Sequence, residues 1–302
     1  MEEHVTNKSF YVSIRPMLIF CKMFGAYPLK NTLSSKVITL QYNLFSIHTL
    51  WNPFLQTICG LLYFKFITFP WWKISKIFVL VRMVMVILSS IYSDQHLPTL
   101  LKLIDNIDRR LSKLEHQPKS SNGLLWMFAC ISVLLISTTS STFMLRPEEG
   151  TKKAIIQTAL IIIPWYQFQI CVALYLLFCI NISYRFRCIK ELWEDTLSNL
   201  MHTNYVSSVD GKSIAKRSDI QLEEIRMLHS DLLTAIDELN RCYGTRMAIF
   251  LASIFQELLT IFYECLLGGL PVEYGIIFAM YHIECLFILG KITENLSTSV
   301  SK

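Results

Sequence analysis

Several ionisable side chains lie within or beside the last two long apolar stretches of the sequence: Glu257, Glu264, Glu273, His282 and Glu284. Ionisable groups inside a membrane are costly and usually mark a functional site, so a proton relay or a metal site has to be considered. The spacing disfavours both, because Glu257 and Glu264 are seven residues apart and His282 and Glu284 fall on different sides of a helix. We therefore interpret these groups as lining a solvated cavity or forming buried pairs, with Arg82 as one candidate partner.

A second set of residues combines aromatic rings with polar groups at similar depth in the predicted outer half of the membrane, which is typical of a small-molecule site. Arg82 lies deeper than the others. The alternative is that these are interfacial aromatics and polar groups that pack between helices. The candidate ligand-binding residues are Arg82, Gln157, Trp165, Tyr166, Tyr263, Glu264 and Tyr281.

Other kinds of chemistry lack a sequence pattern here. The nine cysteines are scattered, without a Cys-x-x-Cys pair or a Cys/His metal spacing, and we interpret them as small apolar residues. Phosphate-binding glycine loops, nucleophile elbows and nucleic-acid motifs are also absent from the sequence. We therefore expect no enzyme activity, no cofactor, no metal and no nucleic-acid partner.

The composition indicates a polytopic membrane protein. Of the 302 residues, 53% are hydrophobic and only 17% are charged, whereas soluble domains carry about a quarter charged residues. We predict an all-α membrane helix bundle with six visible transmembrane helices and cytosolic helical extensions, formed by residues 37–302 after an N-terminal segment, 1–36, that is cytosolic or interfacial. The predicted spans are 37–64, 74–92, 124–145, 154–180, 247–267 and 272–289, with cytosolic loops at 93–123 and 181–246.

One long helix organises the second half of the chain. Between Gln221 and Tyr243, apolar residues recur at three-four spacing, and from Met247 to Leu267 nearly every residue is apolar. No proline interrupts the run, so we predict one helix that crosses from water into lipid. The stripe needs a partner, and we expect it to join a cytosolic bundle between subunits; the alternative is packing within its own subunit. The predicted contacts are Leu222, Ile225, Leu232, Ile236 and Leu239.

Two further segments have a predicted conformation. Ile14 to Leu29 reads as a short amphipathic piece that lies along the membrane surface. Residues 181–218 read as a polar connector with a flexible tip at 207–213.

The distribution of positive charge predicts the orientation. Of the 28 lysines and arginines, 21 fall in the N-terminal segment, the loops 93–123 and 181–246, and the last residues, whereas six fall on the opposite side. Because positive residues concentrate on the cytoplasmic side, we expect a cytosolic N-terminus, an even number of spans and a multi-pass plasma-membrane protein in contact with lipid.

Three segments carry a family resemblance. Ile14-Arg15-Pro16 through Tyr27-Pro28-Leu29, the helix from Leu97-Pro98 to Leu114, and Leu228-His229 through Asn240-Arg241-Cys242-Tyr243-Gly244 together resemble insect gustatory receptors. The resemblance covers essentially the whole chain. It implies a seven-span fold with a cytosolic N-terminus, assembling as a homo- or hetero-tetramer with other chemoreceptor subunits. It also implies a ligand-gated cation channel for a small-molecule tastant, with the ligand pocket in the outer half of the helix bundle.

The sequence departs from that family at its end. The family has a seventh span that lines the pore, and nothing similar follows Leu289 before Lys302. We therefore expect a chain truncated before the pore-lining helix that gives no ligand-gated current alone. An odorant-receptor-like chemoreceptor and a polytopic transporter are the alternatives. Transporters usually contain internal repeats and helices broken at matching positions, whereas here we find Pro164 inside the fourth span and no repeat.

Overall fold

The computed structural model describes residues 10–23, 27, 29–32, 34, 36–43, 46–66, 73–114, 132, 151–206, 211–268 and 272–301. These residues are mainly helical, as the sequence predicts. The helices are α1 (Phe10–Met23), α2 (Ile47–Phe66), α3 (Lys73–Ser93), α4 (Leu97–Lys113), α5 (Thr151–Val206), α6 (Gly211–Leu266) and α7 (Val272–Ser301). Two short strands, β1 (Leu29–Lys30) and β2 (Gln41–Tyr42), pair antiparallel between α1 and α2.

The helix boundaries agree with some predicted spans and correct others. The second predicted span coincides with α3. The first predicted span, 37–64, begins too early: Val37–Thr39 forms a 3-10 turn and Gln41–Tyr42 is β2, so the helix begins only at Ile47. The third, 124–145, lies outside the described residues.

The fourth and fifth predicted spans belong to two very long helices. Helices α5 and α6 each have 56 residues, which corresponds to about 84 Å at 1.5 Å per residue. The predicted connector at 181–218 is therefore wrong for most of its length, because α5 continues to Val206 with Ile182, Phe186 and Ile189 buried on one side. The single helix predicted from Gln221 to Leu267 is confirmed and begins earlier, at Gly211.

Three helical segments in the described part of the chain are long and apolar enough to cross a membrane: Gln169–Met201, Ile220–Tyr263 and Gly275–Ser301. Many large apolar side chains on α6 and α7 are exposed in the single chain, among them Phe255, Phe262 and Phe287 at 65%, 65% and 72%. A surface of this kind is stable against lipid or another apolar partner and unfavourable in water.

Helix α1 packs into the protein. Ile14, Met17, Leu18 and Cys21 are fully buried, and the helix contacts α4 and α5. The apolar side of this segment is therefore covered by protein, whereas its position along the membrane surface stays a prediction.

The predicted stripe of α6 is also covered by its own chain. Ile225, Leu232 and Leu239 are at most 2% exposed, and α6 contacts α4 and α5 over this length. The buried stripe of α4, from Leu97 to Leu111, lies in the same core cluster. The intersubunit role predicted for the stripe is therefore wrong, and the alternative of packing within the subunit holds.

We call α4, α1 and residues 181–246 together the α4 end.

Candidate functional site

The predicted ligand-binding residues lie on four helices. Arg82 is on α3, Gln157, Trp165 and Tyr166 are on α5, Tyr263 and Glu264 are on α6, and Tyr281 is on α7. The side chains of Arg82, Gln157, Trp165, Tyr166 and Glu264 lie outside those that the structure describes. Tyr263 is 57% exposed and Tyr281 is partly buried. The pocket therefore stays a prediction.

A polar pair connects the last two predicted spans. His282 Nε2 on α7 lies 3.4 Å from Glu257 Oε2 on α6, and the His282 side chain is only 4% exposed. Glu284 is exposed. This confirms that His282 and Glu284 face different sides; Glu257 pairs with the buried His282, although its own side chain is 29% exposed.

The most deeply buried charges in the described residues lie where α3 meets α4. Arg246 Nη2 donates to Asp94 Oδ1 at 2.6 Å and to Ser90 Oγ at 2.9 Å, and the Asp94 and Arg246 side chains are 0% and 4% exposed. Burial raises the pKa of Asp94 to about 6 against the opposing effect of the Arg246 guanidinium, so the carboxylate remains ionised at neutral pH. This charged pair joins the α3–α4 corner to α6.

Aromatic rings surround the Arg246 guanidinium. Its Cζ lies 4.6 Å from the centroid of the Tyr27 ring, within the range of a cation–π contact. Tyr27 has a φ of 53°, an unusual conformation for a residue with a bulky side chain, and such strain persists only where the surroundings hold it. The ring of Tyr243 is 5.7 Å from the Tyr27 ring and 5.7 Å from the Tyr175 ring. The segment after α1 is thereby fixed to α5 and α6.

A second buried arginine fixes α5 to α4. Arg185 donates from Nε and Nη2 to both oxygens of Asp108 at 2.7 Å, and from Nη1 to the Asn181 carbonyl at 2.8 Å. Its side chain is 1% exposed, and its Cζ lies 5.0 Å from the Phe10 ring centroid on α1. Two parallel hydrogen bonds between a guanidinium and a carboxylate fix the relative orientation of the two groups in addition to pairing their charges.

Three further contacts, which are more exposed to solvent, join α4 and the residue before it to α6. Arg110 donates to Glu224 at 2.7 Å and to Asp231 at 2.5 Å, and these contacts raise the pKa of Arg110. His96 Nδ1 lies 3.1 Å from Glu238 Oε2. We call the contacts centred on Arg246, Arg185, Arg110 and His96 the α4 network.

The α4 network has the form of a mechanical connection, not a catalytic site. Its arginines cannot act as bases at neutral pH, and each is bound to carboxylates on another helix. The described residues contain no group of three or more His, Cys, Asp or Glu that could hold a metal ion. What the network can do is transmit a displacement of α5 or α6 to α4.

Sequence reasoning missed this network, although a signal was present. Asp94 is two residues after the predicted end of the second span, and Arg246 directly precedes the fifth. Opposite charges at the same predicted depth and on the same predicted side are candidates for pairing. Of these two residues, only Arg246 contributes to the sequence prediction, as one of the positive charges that predict the orientation.

Comparison with known proteins gives one family. The model of the family described as 7tm Chemosensory receptor matches residues 14–295. Among curated proteins, none matches the chain. The matched range contains every charged residue of the α4 network, including Asp94 and Arg246, and all the candidate ligand-binding residues.

Proposed function

Because this chain belongs to the 7tm chemosensory receptor family and is accordingly a membrane chemoreceptor, we propose that it is a gustatory receptor subunit. In this proposal it forms part of a ligand-gated, non-selective cation channel that detects small tastants at the plasma membrane. It works as a homo- or hetero-tetramer with other chemoreceptor subunits, and its N-terminus is cytosolic. The resemblance of three segments to insect gustatory receptors supports taste as the sense.

The observation that carries the proposal is the continuity of α6 combined with the Asp94–Arg246 pair. Helix α6 runs without a break from the apolar Phe262 region into the α4 end, and Arg246 attaches it there to Asp94 at 2.6 Å. Packed helices move as rigid elements between discrete arrangements. A ligand that shifts the apolar half of α6 would therefore also shift α4.

The ligand site of the proposal is the predicted one. Trp165, Tyr166 and Tyr281 supply aromatic faces, and Gln157 and Glu264 supply polar groups on adjoining helices, a combination typical of small-molecule sites. The Glu257–His282 pair on α6 and α7 supports this region as polar within an apolar surround. Tyr263 and Arg82 complete the candidate set.

The test is a recording of ligand-evoked current. The full chain is expressed in cultured cells with candidate partner subunits, and whole-cell current is measured for sugars, bitter compounds and volatile odorants. We expect an inward cation current with a tastant, and a smaller maximal current for Asp94→Asn at matched surface expression. The control is Glu223→Gln, which removes a carboxylate from the exposed Glu223–Arg226 pair and should leave the current unchanged.

The alternatives predict different results. A response to volatile odorants alone would contradict the taste assignment and favour an odorant-receptor-like chemoreceptor. Uptake of a labelled compound with no current would contradict the channel and favour a transporter.

A further inference from the structure

An open cavity lies beside the C-terminal end of α1 and the turn between β1 and β2. Its volume is about 470 Å³, and it is lined by Lys22, Asn31, Thr32, Ser34 and Thr39. The lining residues carry an ammonium, an amide and three hydroxyls, of which the Thr39 hydroxyl already donates to the Lys36 carbonyl at 2.7 Å. Nothing in the proposed receptor function uses the cavity.

Hydrogen bonds hold the walls of the cavity in place. Lys22 Nζ donates to the Leu29 carbonyl at 3.0 Å, which, among the residues that the structure describes, leaves two of its three N–H donors for a ligand. Asn31 has a φ of 59°, a left-handed conformation that asparagine tolerates, and its Nδ2 donates to the Thr39 carbonyl at 3.0 Å. Tyr11 donates from its hydroxyl to the Thr32 carbonyl at 3.1 Å. The site is thus shaped before any ligand binds.

The chain segments that form the cavity carry lysines and no acidic residues. The sequence has no Asp or Glu between Glu3 and Asp94, whereas Lys22, Lys30 and Lys36 all lie near the cavity in sequence. Burial lowers the pKa of Lys22, and an anion beside it would stabilise its charged form. The chemistry of the lining therefore fits an anion with several acceptor oxygens.

The position of the cavity indicates where that anion comes from. Strand β2 ends at Tyr42, and α2, the first predicted span, begins at Ile47. Ile38 beside the cavity is 69% exposed, as expected for a side chain in contact with acyl chains. With the N-terminus in the cytosol, the cavity lies at the level of the lipid headgroups of the cytoplasmic leaflet, which carries the anionic phospholipids.

We propose that this cavity binds the phosphorylated headgroup of an anionic phospholipid, with Lys22 and the hydroxyls of Thr32 and Ser34 as its phosphate ligands. Lys30 and Lys36 add electrostatic attraction, and Ile38 contacts the acyl chains. The site depends on the proposed orientation and is independent of which tastant the receptor detects. Bound lipid would fix α1 and the hairpin to the membrane.

The experiment measures lipid binding to the full chain in phosphatidylcholine nanodiscs. The probes are dioctanoyl phosphatidylinositol 4,5-bisphosphate and its soluble headgroup, inositol trisphosphate. Each basic residue near an anionic membrane contributes about 1 kcal/mol, or roughly fivefold in affinity. We expect Lys22→Gln to weaken lipid binding about fivefold or more, and Lys22→Arg to retain most of it. The matched control is Lys102→Gln on the exposed side of α4, which should bind as the unmodified chain does.

A second variant covers the case in which Lys22→Gln does not fold. Lys36 is exposed, so Lys36→Gln should fold normally and still bind the lipid more weakly. If both variants fold, unchanged lipid affinity in both would overturn the proposal. If Lys22→Gln does not fold, unchanged lipid affinity in Lys36→Gln would overturn it. Binding of inositol trisphosphate as tight as that of the lipid would assign the site to a free phosphate compound and would also overturn it. A receptor without tastant response but with this lipid binding would leave the inference intact.

Discussion

At the scale of single residues, the Asp94–Arg246 pair decides how the α4 end is held together. Both side chains are almost fully buried, at 0% and 4% exposed, and each is the other's charge partner at 2.6 Å. Buried pairs of this kind contribute little net stability compared with apolar residues of the same volume. We therefore interpret the pair as fixing the arrangement of the helices more than as adding stability.

Removing one charge of this pair should be costly. In Asp94→Asn the neutral amide costs less to bury than the carboxylate, whose burial raises the pKa of Asp94. Arg246, however, cannot lose its proton and stays as a buried cation without its charge partner. We expect the free energy of unfolding to fall by about 3–5 kcal/mol, the usual result of breaking a buried pair. The measurement is the thermal unfolding midpoint of the detergent-purified chain.

Two further variants serve as controls for that measurement. Asp94→Asn combined with Arg246→Met removes both charges and should regain part of the loss. Glu223→Gln, in the exposed pair with Arg226, should leave the midpoint unchanged because solvent screens such pairs. A midpoint for Asp94→Asn equal to that of the unmodified chain would show that the pair does not hold the fold.

At the scale of elements, α6 contains two different surfaces. The stripe formed by Ile225, Leu232 and Leu239 is buried within the chain, whereas Phe255 and Phe262 further along the helix are exposed. The first surface stabilises the α4 end of a single subunit, and the second is left for lipid or for other subunits. Assembly is therefore expected to depend on residues outside the stripe.

A charge placed in the stripe should disrupt the subunit itself. Leu232 is 0% exposed, so Leu232→Asp would bury a carboxylate without a partner and should abolish the monodisperse peak in fluorescence-detected size-exclusion chromatography. The neighbouring Leu233 is 40% exposed, and Leu233→Asp should elute as the unmodified chain does. A folded Leu232→Asp protein that merely forms smaller oligomers would instead support an intersubunit role for the stripe.

The same elements show what sequence could and could not predict. Apolar patterns predicted α3, α4 and α6 from Gln221 onward, because these patterns depend on neighbours along the chain. They missed the helical continuation of α5 beyond residue 181, because polar residues there resemble a loop until the buried side is known. They also gave no partner for α1 or for the stripe of α6, since the choice between lipid, another subunit and the same subunit depends on tertiary contacts. Of the site, sequence singled out Glu257 and His282 with buried pairing as one of two interpretations, but it missed the Asp94–Arg246 pair, which joins residues 152 positions apart.

At the scale of the whole molecule, the α4 network brings together segments that the sequence places in separate loops. Arg185 and Arg246 come from α5 and α6, while Asp94 and Asp108 come from the α3–α4 corner and α4. These segments touch each other, so they lie on the same side of any membrane that α5 and α6 cross. The contacts thus place the predicted loops 93–123 and 181–246 on the same side of the membrane. This agrees with the predicted topology, which has an even number of spans between these two loops.

The side on which the α4 end lies can be tested directly. Because 21 of the 28 lysines and arginines fall in the N-terminal segment, the two long loops and the last residues, we expect the α4 end to be cytosolic. Epitope tags before Met1 and after Lys302 should label only in permeabilised cells, and a cysteine introduced at exposed Met201 should resist an impermeant maleimide applied to intact cells. A tag between Pro147 and Gly150, in the predicted outer turn, is the positive control and should label without permeabilisation. Labelling of either terminus or of the introduced cysteine in intact cells would reverse the orientation, and with it the assignment of the cavity at Lys22 to the cytoplasmic leaflet.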